Sequence, residues 1–156
     1  ILNHQLVNHL LEEKSIYWID DLPFVTTIIF GDIKNNNTLL NLSVFKDASD
    51  KVFAKKLFVD TIRNNNKYDK IIIEFAKNWD IDRIAIMDKI LLKMAFAEIL
   101  LMNDLPVKVS INEYIEISKY YSTSKSKIFI NGLLDSFVKS YKAKGEIKKK
   151  GRGLIE

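Results

Sequence analysis

The chain reads as all-α, a bundle of about six to seven helices. Three observations carry that reading. Almost all of the aliphatic periodicity falls at three- and four-residue steps rather than alternating. With 5 Gly and 2 Pro in 156 residues, the many turns of a β-sandwich have nothing to be built from. The stretch from Asp104 to Asp135, DLPVKVSINEYIEISKYYSTSKSKIFINGLLD, holds two helical stripes separated by a short polar break.

Residues 1 to 14 place Leu2, Leu6, Val7, Leu10 and Leu11 at helical steps, as in an amphipathic helix cut at its front. Asp20-Asp21-Leu22-Pro23 reads as a second helix start, with acids facing the positive end of the helix dipole and proline tolerated in the first turn. Val25, Ile28, Ile29 and Ile33 form its expected buried face. Residues 34 to 42, with Asn35-Asn36-Asn37, are a polar loop. Ser49 or Asp50 caps a third helix that runs through Phe53, Leu57 and Ile62 to a break at Asn64-Asn65-Asn66. Tyr68, Ile71, Ile72, Phe75, Ala76 and Trp79 make the cleanest stripe, that of a core helix. After Asp80-Ile81-Asp82 a long helix reaches Met102, with Met87, Leu91, Met94, Ala95, Leu101 and Met102 inward and Glu98 on that same face.

Ser110 and Glu113 have the spacing of a capping box, and Val109 and Tyr114 that of a hydrophobic staple, so the sixth helix is expected to start at Ser110. Ile111, Tyr114, Ile115, Ser118 and Tyr121 share one of its faces. The run STSKS interrupts the pattern, and Ile130, Leu133, Leu134, Phe137, Val138 and Tyr141 begin another stripe. Asn131-Gly132 lies inside it; the stripe continues on both sides, so the helix is kept, and the missing side chain is expected to let a neighbouring helix approach. Beyond Tyr141 the sequence KAKGEIKKKGRG loses periodicity. The expected organisation is an N-terminal helical segment over residues 1–42, part of the same bundle or of a longer protein, a helical domain over 43–141, and a basic flexible tail over 142–156.

The net charge is +4, and its location matters. From Lys139 onward there are seven basic residues against Glu146 and Glu156, so the tail carries +5 and the rest −1. The body is therefore no general polyanion binder, and any RNA contact on it must be local. There is no cysteine, which excludes disulfides and thiolate metal sites and fits a cytoplasmic protein. No apolar run has membrane-spanning length, and no signal-peptide pattern occurs. His4 and His9, five residues apart on a helix, fall on different faces, and no cysteine completes a site, so no metal site is expected. No nucleophile elbow, phosphate-binding loop or dinucleotide fingerprint occurs, so the chain shows no catalytic residues and calls for no cofactor.

Three polar residues need an account. Glu98 reads as a structural acceptor for backbone amides at another helix's start, because a carboxylate on a buried stripe must be hydrogen-bonded. Asn112 and Asn131 read as polar ties between segments. An RNA site has other ingredients: Phe129, at the edge of its stripe, follows Lys125, Ser126 and Lys127 beside a helix amino terminus, which joins an aromatic platform to cations and amides. A half-buried core phenylalanine beside a solvated loop would look the same. Lys89 and Lys93, one turn apart on the long helix, are a second cationic spot or simply a wet surface.

LPVKVSINEYIEISKYY followed by KIFINGLLD resembles the C-terminal signature of the NusB family of bacterial transcription antitermination factors. The pairing of P-x-K-V-x-I-N-E with F-x-N-G-x-L-D is specific, and the likeness extends back through ILLKMAFAEIL and more weakly to Ala48, covering about residues 48–141. The resemblance implies a NusB-like helical bundle and a small non-enzymatic protein. Family members bind a boxA RNA element with the small-subunit ribosomal protein NusE, and act with other antitermination factors and RNA polymerase. It places Phe129 at the family's RNA-stacking position, Lys93 where most members carry arginine, and Asp88 at an acidic position near the ribosomal-protein and RNA surfaces. The family's arginine-rich first helix has no counterpart in residues 1 to 15, so that arm either precedes Ile1 or has been replaced by the basic C-terminus. Lys125 stands where some members carry an acid, and Ala97 where an aromatic is frequent, trimming the core or a partner surface. The alternatives are an RNA-docking domain of a ribosomal RNA methyltransferase, and a helical protein-interaction module without RNA binding.

Overall fold

The computed structural model describes residues 4–15, 17–34, 45, 47–77 and 79–155, so the polar loop expected after Lys34 lies almost wholly outside the described residues. Seven α-helices and two short 3-10 turns make up the described regular structure. The chain divides into two compact units, residues 1–47 and 48–156.

The first unit holds α1 (Gln5–Lys14) and α2 (Trp18–Lys34). The second helix starts ahead of the acidic pair expected to open it, and Pro23 lies inside rather than in the first turn. The Trp18 amide donates to Ser15 O at 3.1 Å and the Asp21 amide to Tyr17 O at 2.9 Å, so the helix is under way before the proline, which removes a single bond. Val25, Ile29 and Ile33, expected to be buried, are exposed, and only Ile28 is half-buried. Two helices alone have too little surface to bury an apolar stripe.

The second unit is built on α5 (Ile86–Leu101). Leu91, Leu92, Ala95, Phe96, Ala97 and Ile99 are all buried, so this helix is enclosed on most sides, as its apolar composition requires. Ala97 is fully buried, so the small side chain trims the core and not a partner surface. Around α5 pack α3 (Ala48–Arg63), α4 (Asn65–Phe75), α6 (Val107–Tyr121) and α7 (Ser126–Ala143). All six stripe positions of α7 are buried. Phe137 meets Phe96 at 4.5 Å and Tyr141 at 4.3 Å between ring centroids, which fixes α7 across α5.

Helix starts differ from expectation. Ser49 and Asp50 lie in the first turn of α3 rather than capping it. The break before α4 contracts to Asn64, whose side-chain amide donates to Asp60 Oδ1 at 2.8 Å. The capping box does not form: α6 begins at Val107 behind Pro106, and the Val109 and Ser110 amides donate to Pro106 O at 3.1 and 3.3 Å. Ser110 is thereby carried inside the helix, where its hydroxyl is buried without a partner among the described residues. Val109 is exposed, so it staples nothing. Gly132 sits on the outer face of α7, and a Cβ there would meet nothing within 4 Å. The expected close helix approach is absent, and the glycine has no packing reason.

The C-terminal segment, which composition alone marks as mobile, is folded back. Gly145, at φ 69°, ends α7 in a Schellman turn: its amide donates to Lys142 O at 3.0 Å and that of Glu146 to Tyr141 O at 2.9 Å. Ile147 packs on the core, the Lys150 amide donates to Asn103 O at 3.0 Å, and Lys149 Nζ donates to Met102 O at 2.9 Å. Gly153 is buried so tightly that a Cβ would fall 2.0 Å from Asn103 O. The glycines are turn and contact devices here, which composition cannot distinguish from flexibility.

Candidate nucleic-acid interface

Asp88 lies in the first turn of α5, where its charge faces the positive end of the helix dipole, yet it is only 5% exposed. A buried carboxylate must be satisfied by donors, and the polar break between α6 and α7 supplies them. Ser122 Oγ donates to Asp88 Oδ1 at 2.5 Å and Ser126 Oγ to Asp88 Oδ2 at 2.8 Å. The Thr123 amide donates in turn to Ser126 Oγ at 3.1 Å. The STSKS run is thus folded around a carboxylate from another helix, which sets the angle between α6 and α7. Lys125 and Lys127 are exposed on either side of the buried Ser126.

This corner borders a cleft of about 370 Å³ whose walls include Trp79, Asp80, Arg83, Lys125 and Phe129. Phe129 is 5% exposed and forms floor rather than platform. Trp79, expected in the core, is half exposed: α4 ends at Phe75, before the stripe reaches it. The two rings meet edge to face with centroids 4.7 Å apart. Asp80 turns its carboxylate onto the Asp82 amide at 3.3 Å, at the start of the 3-10 turn Ile81–Arg83.

The other expected site residues are buried, paired or placed elsewhere. Lys93 is not a free outward cation: its ammonium bonds Asp69 Oδ1 at 2.7 Å and Asn65 Oδ1 at 2.6 Å, tying α5 to α4. Lys89 is half-buried. Ser126, 1% exposed, has its hydroxyl committed to Asp88 and orients the corner without facing solvent. Asn112 and Asn131 are exposed, and line a separate cleft of about 960 Å³ with Lys108, Lys142 and Lys148. Glu98 accepts from the Tyr114 hydroxyl at 2.9 Å, a side-chain partner in place of backbone amides. Burial, then the charge of Glu98, holds the Tyr114 phenol far above its ordinary value. Burial pushes the Lys149 ammonium below its ordinary value, opposed by Glu98. Among the described residues no cluster of His, Cys, Asp or Glu could hold a metal ion, and no helix is long and apolar enough to cross a membrane.

Sequence reasoning missed Trp79, Arg83 and Asp80 as cleft residues. Trp79 continued an apolar stripe and so looked buried. A signal was present in Asp80, which follows it and starts a new turn.

The family model described as "NusB family" matches residues 20–139. This chain belongs to the NusB family. The NusB match begins ahead of Ala48, the limit of the sequence motifs, and includes nearly all of α2. The transcription antitermination protein NusB of Chloroherpeton thalassium is 46% identical over 113 residues, 72% of this chain and 54% of that protein. The NusB of Salinibacter ruber is 41% identical over 119 residues, 76% of this chain and 74% of the relative. This chain therefore spans about half the length of the first relative and three quarters of the second. Among solved structures, NusB of T. maritima superposes with a TM-score of 0.57 at 28% identity, covering 73% of this chain and 84% of that one. The NusB fold is all-α in both.

Proposed function

We propose that this protein is a transcription antitermination factor of the NusB type, a cytoplasmic binding protein that holds a boxA-like single strand of RNA jointly with the ribosomal protein NusE and performs no bond chemistry of its own. The observation that supports this best is the cleft at the α6–α7 corner. It joins exposed aromatic surface to Arg83 and Lys125 on a body that otherwise carries no excess positive charge. The relatives' designation as transcription antitermination proteins points the same way. Lys125 and Lys127 take the phosphate contacts; Asp88 and Ser126 fix the corner from within, and Asp88 reaches a partner only indirectly. Lys93, held by α4, contributes by shape more than by contact.

The test is a titration of boxA-like RNA, with and without NusE, across salt concentrations. Binding should tighten with the partner, and log K should fall with log salt by about 0.7 for each phosphate contacted. Lys125→Ala should reduce that slope by about one such contact. Absence of binding even with the partner present would leave a protein-interaction module without RNA.

A further inference from the structure

We infer that Trp79, and not Phe129, presents the face on which an RNA base stacks, with Arg83 and Lys125 receiving the phosphates beside it. The inference rests on the RNA reading above and names the residue that performs it. A stacked base needs an open ring face, and Phe129 is 5% exposed against 50% for Trp79. The half-exposed residue is nonetheless held: the Trp79 backbone amide donates to Ala76 O at 2.8 Å, and the indole ring is braced edge to face by Phe129 at 4.7 Å. A platform set in place before binding loses little freedom when a base arrives. Phe129 then acts as the brace that positions the indole.

Charge and size narrow the ligand. Arg83 and Lys125 come from different elements and border the same cleft. Of its two carboxylates, Asp88 is buried beneath Ser122 and Ser126, and Asp80, at the exposed surface, accepts from the Asp82 amide. Arg83 and Lys125 give the cleft cations at its rim above the Phe129 floor, which suits one nucleotide with its base inserted and its phosphates outside, and disfavours a duplex, whose bases are already stacked. At about 370 Å³ it lies at the small end of ligand sites.

The chain contains two tryptophans, Trp18 and Trp79, so Trp18→Phe leaves the indole in question as the sole tryptophan emitter, excited selectively over the tyrosines. That variant is titrated with a single-stranded boxA-like oligoribonucleotide, and affinity is followed independently by anisotropy of a labelled strand. Emission should be quenched in step with binding. Trp79→Ala should weaken binding between about fivefold and a hundredfold, the range for one lost base–aromatic stack, while Trp79→Phe should retain most of it. RNA binding with unmoved Trp79 emission, or with Trp79→Ala within twofold of the parent, overturns the inference and leaves the antitermination reading standing. Quenching by NusE alone and not by RNA assigns the cleft to the protein partner and also overturns it. No RNA binding by anisotropy, with or without NusE, removes both.

Discussion

At the scale of single residues, the buried carboxylates of the second unit, Asp88 and Glu98, are hydrogen-bonded while, among the described residues, the buried Ser110 hydroxyl is not, and one phenol stands out. Tyr114 is 2% exposed and donates to Glu98, so its proton is held more tightly in the folded protein than in the unfolded chain. Tyr68, buried and bonded to Asp60, is shifted the same way. An unfolded phenol releases its proton near pH 10, so the stability these groups contribute is complete below about pH 10 and is lost as pH rises through the folded values. Urea midpoints should therefore decline above that pH. Tyr114→Phe should lessen the decline, and at neutral pH should cost about 1–3 kcal/mol for the donor taken from Glu98. An unchanged alkaline slope in the variant would locate the effect elsewhere.

At the scale of elements, the stripe of α7 was legible in the sequence, whereas that of α2 and most helix starts were not. The positions that face the core of α7 are stated by periodicity alone, because burial there depends only on spacing. Ends depend on which of several competent residues closes the first turn. Pro106 starts α6 ahead of Ser110, and Trp18 starts α2 ahead of Pro23. The site divides in the same way. Phe129 and the lysines of the corner could be read from residue types, whereas the pairing of Asp88 with Ser122 and Ser126 joins residues more than thirty apart and needs the fold. The start of α6 makes a sharp prediction. A true N-cap serine costs about 0.5–2 kcal/mol when changed to alanine. Ser110 has a buried, partnerless hydroxyl inside the helix, so Ser110→Ala should be neutral or stabilising by up to about 1 kcal/mol in denaturant melts. A loss of the cap's magnitude would restore the capping box.

At the scale of the whole molecule, positive charge is gathered in the last part of the chain while the remainder is nearly neutral. The structure decides what that gathering does. Lys149 is bonded to the end of α5, and Lys108, Lys142 and Lys148 border one cleft with Asn112 and Asn131, so the basic residues form part of a wall with a definite shape. The family match from residue 20 shows that the later part of the first unit, with nearly all of α2, is also NusB sequence.

The seat of Gly153 against Asn103 O governs how far those charges can reach. A methyl group there works as a wedge: Gly153→Ala should pry the segment away, converting a pinned row of ammonium groups into a tethered brush that sweeps a wide volume. Amide exchange over residues 146–155 should accelerate, and affinity for duplex RNA of arbitrary sequence should rise, since a loose cationic brush adapts to any polyanion. Protection that survives the substitution would mean the backbone can yield at this seat, and that immobility of the basic wall has another cause.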